Sequence, residues 1–117
     1  MRFFSYLRRM TERIYCAAIW YVDLELPRSI RNPKNVDRGV VVLGHRHADV
    51  IKNVSNLLGL RSVTNGEGSV GENIQGFLTN LDRFVDREEA AGIALAAGQV
   101  RDMGRFNPAS LYSEDIY

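Results

Sequence analysis

The sequence predicts a single α+β domain, in the broad α/β class: a small antiparallel sheet carrying two main helices. Three observations carry that expectation. Short runs of β-branched and aromatic residues at 13–22, 39–44 and 74–79 are separated by polar, glycine- or proline-bearing connections, which is how strands read. Two later stretches, 45–58 and 86–97, show helical spacing or a helix-capping pattern. A chain of 117 residues is normally one domain, with a core small enough that self-association would add useful buried area. The expected organisation over 1–117 is a basic extension at 1–12, strand–loop–strand–helix at 13–59, and strand–turn–helix with a tail at 74–117.

Residues 13–22 alternate little between polar and apolar, which fits a strand buried on most of both sides. Residues 24–38 hold Pro27, Asn32, Pro33, Asn35 and Asp37 with Arg28, Arg31, Lys34 and Arg38, a long polar connection of the kind that often carries function. The apolar run at 39–44, bounded by glycines, predicts a second strand antiparallel to the first. His45-Arg46-His47-Ala48-Asp49 opens a helix in which Val50, Ile51, Val54, Leu57 and Leu58 make one apolar stripe, and Gly59 stops it. Residues 61–73 are a glycine-rich loop; 74–79 form a third strand, and 80–82 turn into Arg83-Phe84-Val85. Asp86 is placed to cap the second helix, with Glu89 three residues on reaching back to it. That helix runs to about Ala97 on a thin alanine surface that a sheet, helix or second protomer can approach closely, and Gly98 ends it. Residues 101–110 are basic and irregular, and 111–117 form an acidic, aromatic tail.

The net charge of +1 argues against duplex-DNA binding, which needs a clear basic excess. Basic residues are nonetheless concentrated early, at Arg2, Arg8, Arg9, Arg13, Arg28, Arg31, Lys34 and Arg38, which leaves room for a local anionic partner. The single cysteine, Cys16, cannot form an intrachain disulfide and reads as a small buried hydrophobe. The first ten residues are basic and amphipathic without the apolar centre of a signal peptide, and no stretch reaches membrane-spanning length. The expected setting is the cytoplasm, with no membrane partner.

His45-x-His47-x-Asp49 matches the opening of the ligand motif of metallo-β-lactamase-fold hydrolases, but those sites need further histidines and this chain has two. Asp49 can instead cap or orient the histidines, and Arg46-His47 at a helix start suits an anion. Gly66-Glu67-Gly68-Ser69-Val70-Gly71 lacks the lysine–hydroxyl pair of a phosphate loop and reads as surface loop. Glu88 and Glu89 are sequential on a helix and cannot face each other as an acid–base pair, so no enzyme, metal or cofactor is expected. Phe77, Arg83, Phe84, Arg87 and Arg105 are a different kind of set. An aromatic face with guanidinium groups is the minimum equipment for holding an adenine nucleotide without chemistry, although each residue alone also fits a core or solvated role.

The order Arg46-His47-x-Asp49, Gly76-Phe77-x-Thr79, Arg83-Phe84-Val85-x-Arg87-x-x-Ala90, Gly98-Gln99 and Ser113-Glu114-Asp115-x-Tyr117 resembles the Thoeris anti-defence sponges. These small phage proteins bind a cyclic ADP-ribose signal made by bacterial TIR-domain enzymes and do not consume it. The resemblance covers residues 44–117 and omits the first ten residues and the 24–38 connection. It implies a glycocyclic ADP-ribose ligand, with cyclic oligonucleotides as a second ligand class for some members. It also implies a homo-oligomer, a dimer up to a hexameric ring, acting in the host cytoplasm with pockets between protomers. By position it makes Phe77 the stacking ring, Arg105 and Arg87 the phosphate contacts and Asp115 a ribose contact, with Arg46, His47 and Arg83 as further ligand-binding residues. The alternative is a small protein- or nucleic-acid-binding module that uses the basic N-terminal half, and steep salt dependence would distinguish it.

Overall fold

The computed structural model describes residues 11–26, 31–61 and 66–117. The basic, amphipathic first ten residues, with Arg2, Arg8 and Arg9, lie outside the described residues, as do 27–30 of the long connection and 62–65 of the glycine-rich loop. Strands β1 (Ile14–Tyr21), β2 (Val40–Gly44), β3 (Asn73–Thr79) and β4 (Phe84–Asp86) form one antiparallel sheet in the order β2-β1-β3-β4. Helices α1 (His47–Leu58) and α2 (Arg87–Ala96) follow β2 and β4, and a short 3₁₀ turn spans Ser113–Asp115. The α+β class, the antiparallel sheet and the two helices all match the sequence expectation.

Period-two alternation along β1 assigns the layers. Ala17, Ile19 and Tyr21 face the helices; Ala18 and Trp20 face the other side. Between Ile14 and Cys16 the register shifts against β3, so Tyr15 is an extra residue. That bulge reverses the parity and turns Ile14 to the same side as Ala17. Under α2 the core is Ile14, Ala17, Phe77, Val85, Ala90, Ala91, Ala94 and Leu111; under α1 it is Ile19, Tyr21, Val50, Val54 and Val70. The opposite face is covered by Val36 from the long connection, packed with Ala18, Val41 and Phe84.

Local chemistry sets the helix ends. Gly59 closes α1 at φ 65°, the left-handed position that suits glycine. Asp86 caps α2 by accepting from the Glu89 N–H at 2.8 Å. Glu89 does not reach back to that cap; its carboxylate pairs with Arg83 at 2.9 Å, because an ion pair is available across the turn. The 83–85 segment is not merely the exit of a turn: Phe84–Asp86 pair with Gly76–Leu78 as an edge strand. The close approach there depends on Gly76, where a Cβ would collide with the Val85 carbonyl oxygen and stand 2.8 Å from the Phe84 ring. The apolar stripe of α1 is only partly used: Val50 and Val54 are buried, while Leu57 is 81% exposed beside the sheet edge. Ala90, Ala91 and Ala94 of α2 are spent inside the protomer, against Ile14, Phe77, Val85 and Leu111, while Leu95 and Ala96 stay exposed.

Four side-chain amides act as short pieces of strand. Asn32 accepts from Val41 N–H (3.1 Å) and donates to Gly39 C=O, which blunts the open edge of β2. Asn35 accepts from Phe84 N–H and donates to its C=O, both at 2.8 Å, on the β4 edge. Gln99 does the same for Ile14 (2.7 and 2.9 Å), and Asn80 links Arg13 N–H to Thr11 C=O. These side chains satisfy backbone groups that no neighbouring strand reaches.

Candidate functional site

Both helices begin at the same place on the sheet. The first residue of α1, His47, contacts the Gly76 carbonyl oxygen with Nε2 at 2.6 Å and the Ser113 hydroxyl with Nδ1 at 3.0 Å. The first residue of α2, Arg87, donates to the Gln75 side-chain oxygen and to the Leu111 carbonyl, each at 2.6 Å. Residues 75–76 of β3 and 111–113 of the tail are therefore gripped from two helix N-termini at once. The positive ends of both helix dipoles point toward this spot.

His47 is 7% exposed and stacks edge-on against Phe77 at 4.9 Å. A carbonyl can only accept, so Nε2 carries the proton and Nδ1 accepts from Ser113, a tautomer assigned from its partners. Burial pushes its pKa down, and the nearby Arg87 charge adds to this, against the Gly76 hydrogen bond and Glu114. With both nitrogens engaged, His47 is a neutral fastener and not an anion ligand. Asp49 neither caps α1 nor orients a histidine: the N-cap is Arg46, with no side-chain cap bond. His45 points elsewhere, stacking on Tyr117 at 4.4 Å, so the two histidines do not converge. Among the described residues no group of three or more His, Cys, Asp or Glu is placed to hold a metal.

The other predicted residues separate into two kinds. Phe77 is fully buried in the core beneath α2, so its ring face is filled by protein and is not presented for stacking. Phe84 is likewise buried, edge-on to Trp20. Arg83 is consumed by Glu12, at 2.8 Å to each carboxylate oxygen, and by Glu89, which together hold its pKa above the usual guanidinium range. Asp115 accepts from the Tyr112 N–H at 2.8 Å and shapes the 3₁₀ turn. Arg105 is exposed in the irregular 101–110 segment. Sequence spacing could not separate these roles, because the burial of Phe77 and Phe84 and the Arg83–Glu12 pair depend on distant segments.

Arg87 and Arg46 remain. Arg87 is partly buried, its pKa lowered by burial, and its partners are neutral oxygens; it forms no ion pair with a carboxylate among the described residues. Its guanidinium lies 4.5 Å from the centre of the Tyr112 ring. Arg46 reaches Glu114 only at 3.9 Å, with both side chains well exposed, a loose pair of little strength. The arrangement offers an incompletely neutralised cation, two helix N-termini and an exposed tyrosine. It can hold an anion. Tyr112 and Gln75 were not singled out from the sequence; their only signal there was adjacency to a motif, Ser113-Glu114-Asp115 for Tyr112 and Gly76-Phe77-x-Thr79 for Gln75.

Two concavities lie away from this place. One of about 330 Å³ is apolar and lies between β2 and α1, lined by Leu26, Val42, Leu43, Val54, Leu57 and Leu58. A second of about 310 Å³ adjoins Glu25, Asn32, Asp37 and Arg38. None of the predicted site residues lines either. In the described part of the basic N-terminal half, Arg31 pairs with Asp82 at 2.7 Å and Arg38 with Asp23 at 2.6 Å, which removes those cations from an open basic face. No helix among the described residues is long and apolar enough to cross a membrane. The sequence model of a family described as Phage T4 y16D protein matches residues 13–117. No curated protein and no solved structure gives a significant match.

Proposed function

The chain belongs to the phage T4 y16D protein family, and on that footing we propose that it is a phage sponge for a nucleotide signal. In this reading it binds a cyclic ADP-ribose-type nucleotide made by TIR-domain enzymes, in the host cytoplasm, and releases it unchanged. The observation that carries the reading is Arg87: a partly buried guanidinium whose hydrogen-bond partners are neutral, with Glu114 and Asp115 acting on it only from a distance, set where two helices start. Such a charge attracts an anion, and helix N-termini favour phosphate oxygens in particular. The resemblance to the Thoeris anti-defence sponges supplies the kind of anion, a glycocyclic ADP-ribose, with cyclic oligonucleotides as a second class. Release of the ligand unchanged is supported by His47, both of whose ring nitrogens are engaged within the protein. Enclosure of the ligand would come from a second protomer, as the resemblance implies.

The test is direct. Purified protein is incubated with the products of an active TIR-domain enzyme, washed, and heated; the released small molecules are identified by mass spectrometry. Intact cyclic nucleotide in the supernatant supports the sponge. Linear ADP-ribose released in its place would mark a hydrolase, and no nucleotide at all would end the reading.

A further inference from the structure

We propose that Tyr112, and not Phe77, is the ring on which the ligand's base stacks; this rests on the nucleotide-sponge reading and names the residue that would hold the base. Four observations lead there. Phe77 has no exposed surface, so a base can reach it only by opening the core. Tyr112 is 49% exposed and its ring meets the Arg87 guanidinium, which has no carboxylate in hydrogen-bond reach among the described residues. The Arg87 guanidinium covers one side of its ring at 4.5 Å, which leaves the other side for a partner. The ring's backbone is held at both ends: Tyr112 N–H donates to the Asp115 carboxylate at 2.8 Å, and Tyr112 C=O accepts from Asp115 N–H at 2.9 Å.

The chemistry of the set is coherent. A guanidinium against one face of a phenol ring, with a purine against the other, makes a three-layer stack in which the cation polarises the ring. The phosphates of the same ligand would lie toward Arg87 and Arg46, since Arg46 is tied only loosely to Glu114. Asp115 then serves the site by fixing the tyrosine and needs no contact with ribose. A rigid aromatic anchored at its backbone loses little freedom when a base settles on it, which suits slow release.

The experiment uses the full chain and two probes, cyclic ADP-ribose and inorganic pyrophosphate, measured by calorimetry. Tyr112→Ala is expected to weaken cyclic ADP-ribose binding about tenfold or more, as loss of a base-stacking face does, while pyrophosphate binding is nearly unchanged. Tyr112→Phe is expected to bind both probes like the parent. Should Tyr112→Ala melt far below the parent, the parent itself decides by NMR. Its Tyr112 ring protons are expected to move upfield with cyclic ADP-ribose and stay in place with pyrophosphate. A parent that binds cyclic ADP-ribose with Tyr112 resonances unmoved, or an alanine variant that binds it at full strength, overturns the stacking assignment and leaves the sponge reading standing. A parent that binds no cyclic nucleotide overturns both.

Discussion

Replacing Arg87 with alanine should loosen the tail and cost stability before it costs anything else. Arg87 supplies the donor for the carbonyl of Leu111, a residue with no exposed surface, and its own carbonyl accepts from Leu111 N–H at 2.9 Å. Without the guanidinium, the Leu111 carbonyl loses its partner in a buried place, at a cost of about 1–3 kcal/mol. Loss of the contact with the Tyr112 ring adds about 0.5–1 kcal/mol at such a half-exposed site. A total of about 3 kcal/mol corresponds to roughly a 10–15 °C fall in Tm for a domain of this size. Arg87→Lys keeps the charge but cannot reach both Gln75 and Leu111 with one ammonium, so it should fall between parent and alanine. The assay is a thermal melt of the three proteins, read by circular dichroism. If Arg87→Ala melts within about 2 °C of the parent, the guanidinium does not fasten the tail and the reasoning fails.

Three further outcomes follow from other residues. The folded pKa of His47 lies below its unfolded value of 6.5, so stability is fully present above that pH and is lost as pH falls through the folded value. Melts of parent and His47→Gln between pH 8 and 5 should show that slope only in the parent, and parallel slopes would exclude His47 as its source. Gly76→Ala should destabilise by about 3 kcal/mol or more, because β4 must move away from the new Cβ; urea midpoints equal to the parent's would contradict the packing. Light scattering at micromolar concentration is expected to give at least a dimer mass, and a strictly monomeric protein would remove the second protomer from the enclosure of the ligand.

Much of the fold was legible from local signals, and little of the site was. Gly59, the Asp86–Glu89 spacing and the 39–44 run between glycines mark element ends by chemistry confined to a few residues, so they survive reading in one dimension. The Gly98-Gln99, Ser113 and Arg87 positions stand out in the sequence, but their observed contacts hold the molecule together: Gln99 completes Ile14, Ser113 meets His47, and Arg87 secures Leu111. A residue type in a motif does not say whether its polar atoms end on the protein's own backbone or on a ligand.

By itself the sequence determined the class of the fold, the strand and helix periods, the capping of α2 and the absence of a charge excess suited to duplex DNA. These depend on neighbours within one turn or one strand, and on sums over the chain. The tertiary structure alone decided the strand order β2-β1-β3-β4, the pairing of Phe84–Asp86 as β4 and the burial of Phe77. It also decided the neutralisation of Arg83 and the exposure of Tyr112 beside Arg87, whose hydrogen bonds go to neutral oxygens. Apart from the β3–β4 pairing, whose partners lie only six to ten residues apart, these are set by groups more than ten residues away in the chain. Which face of a strand is covered, and which charge finds a counter-charge, is fixed only when distant segments meet.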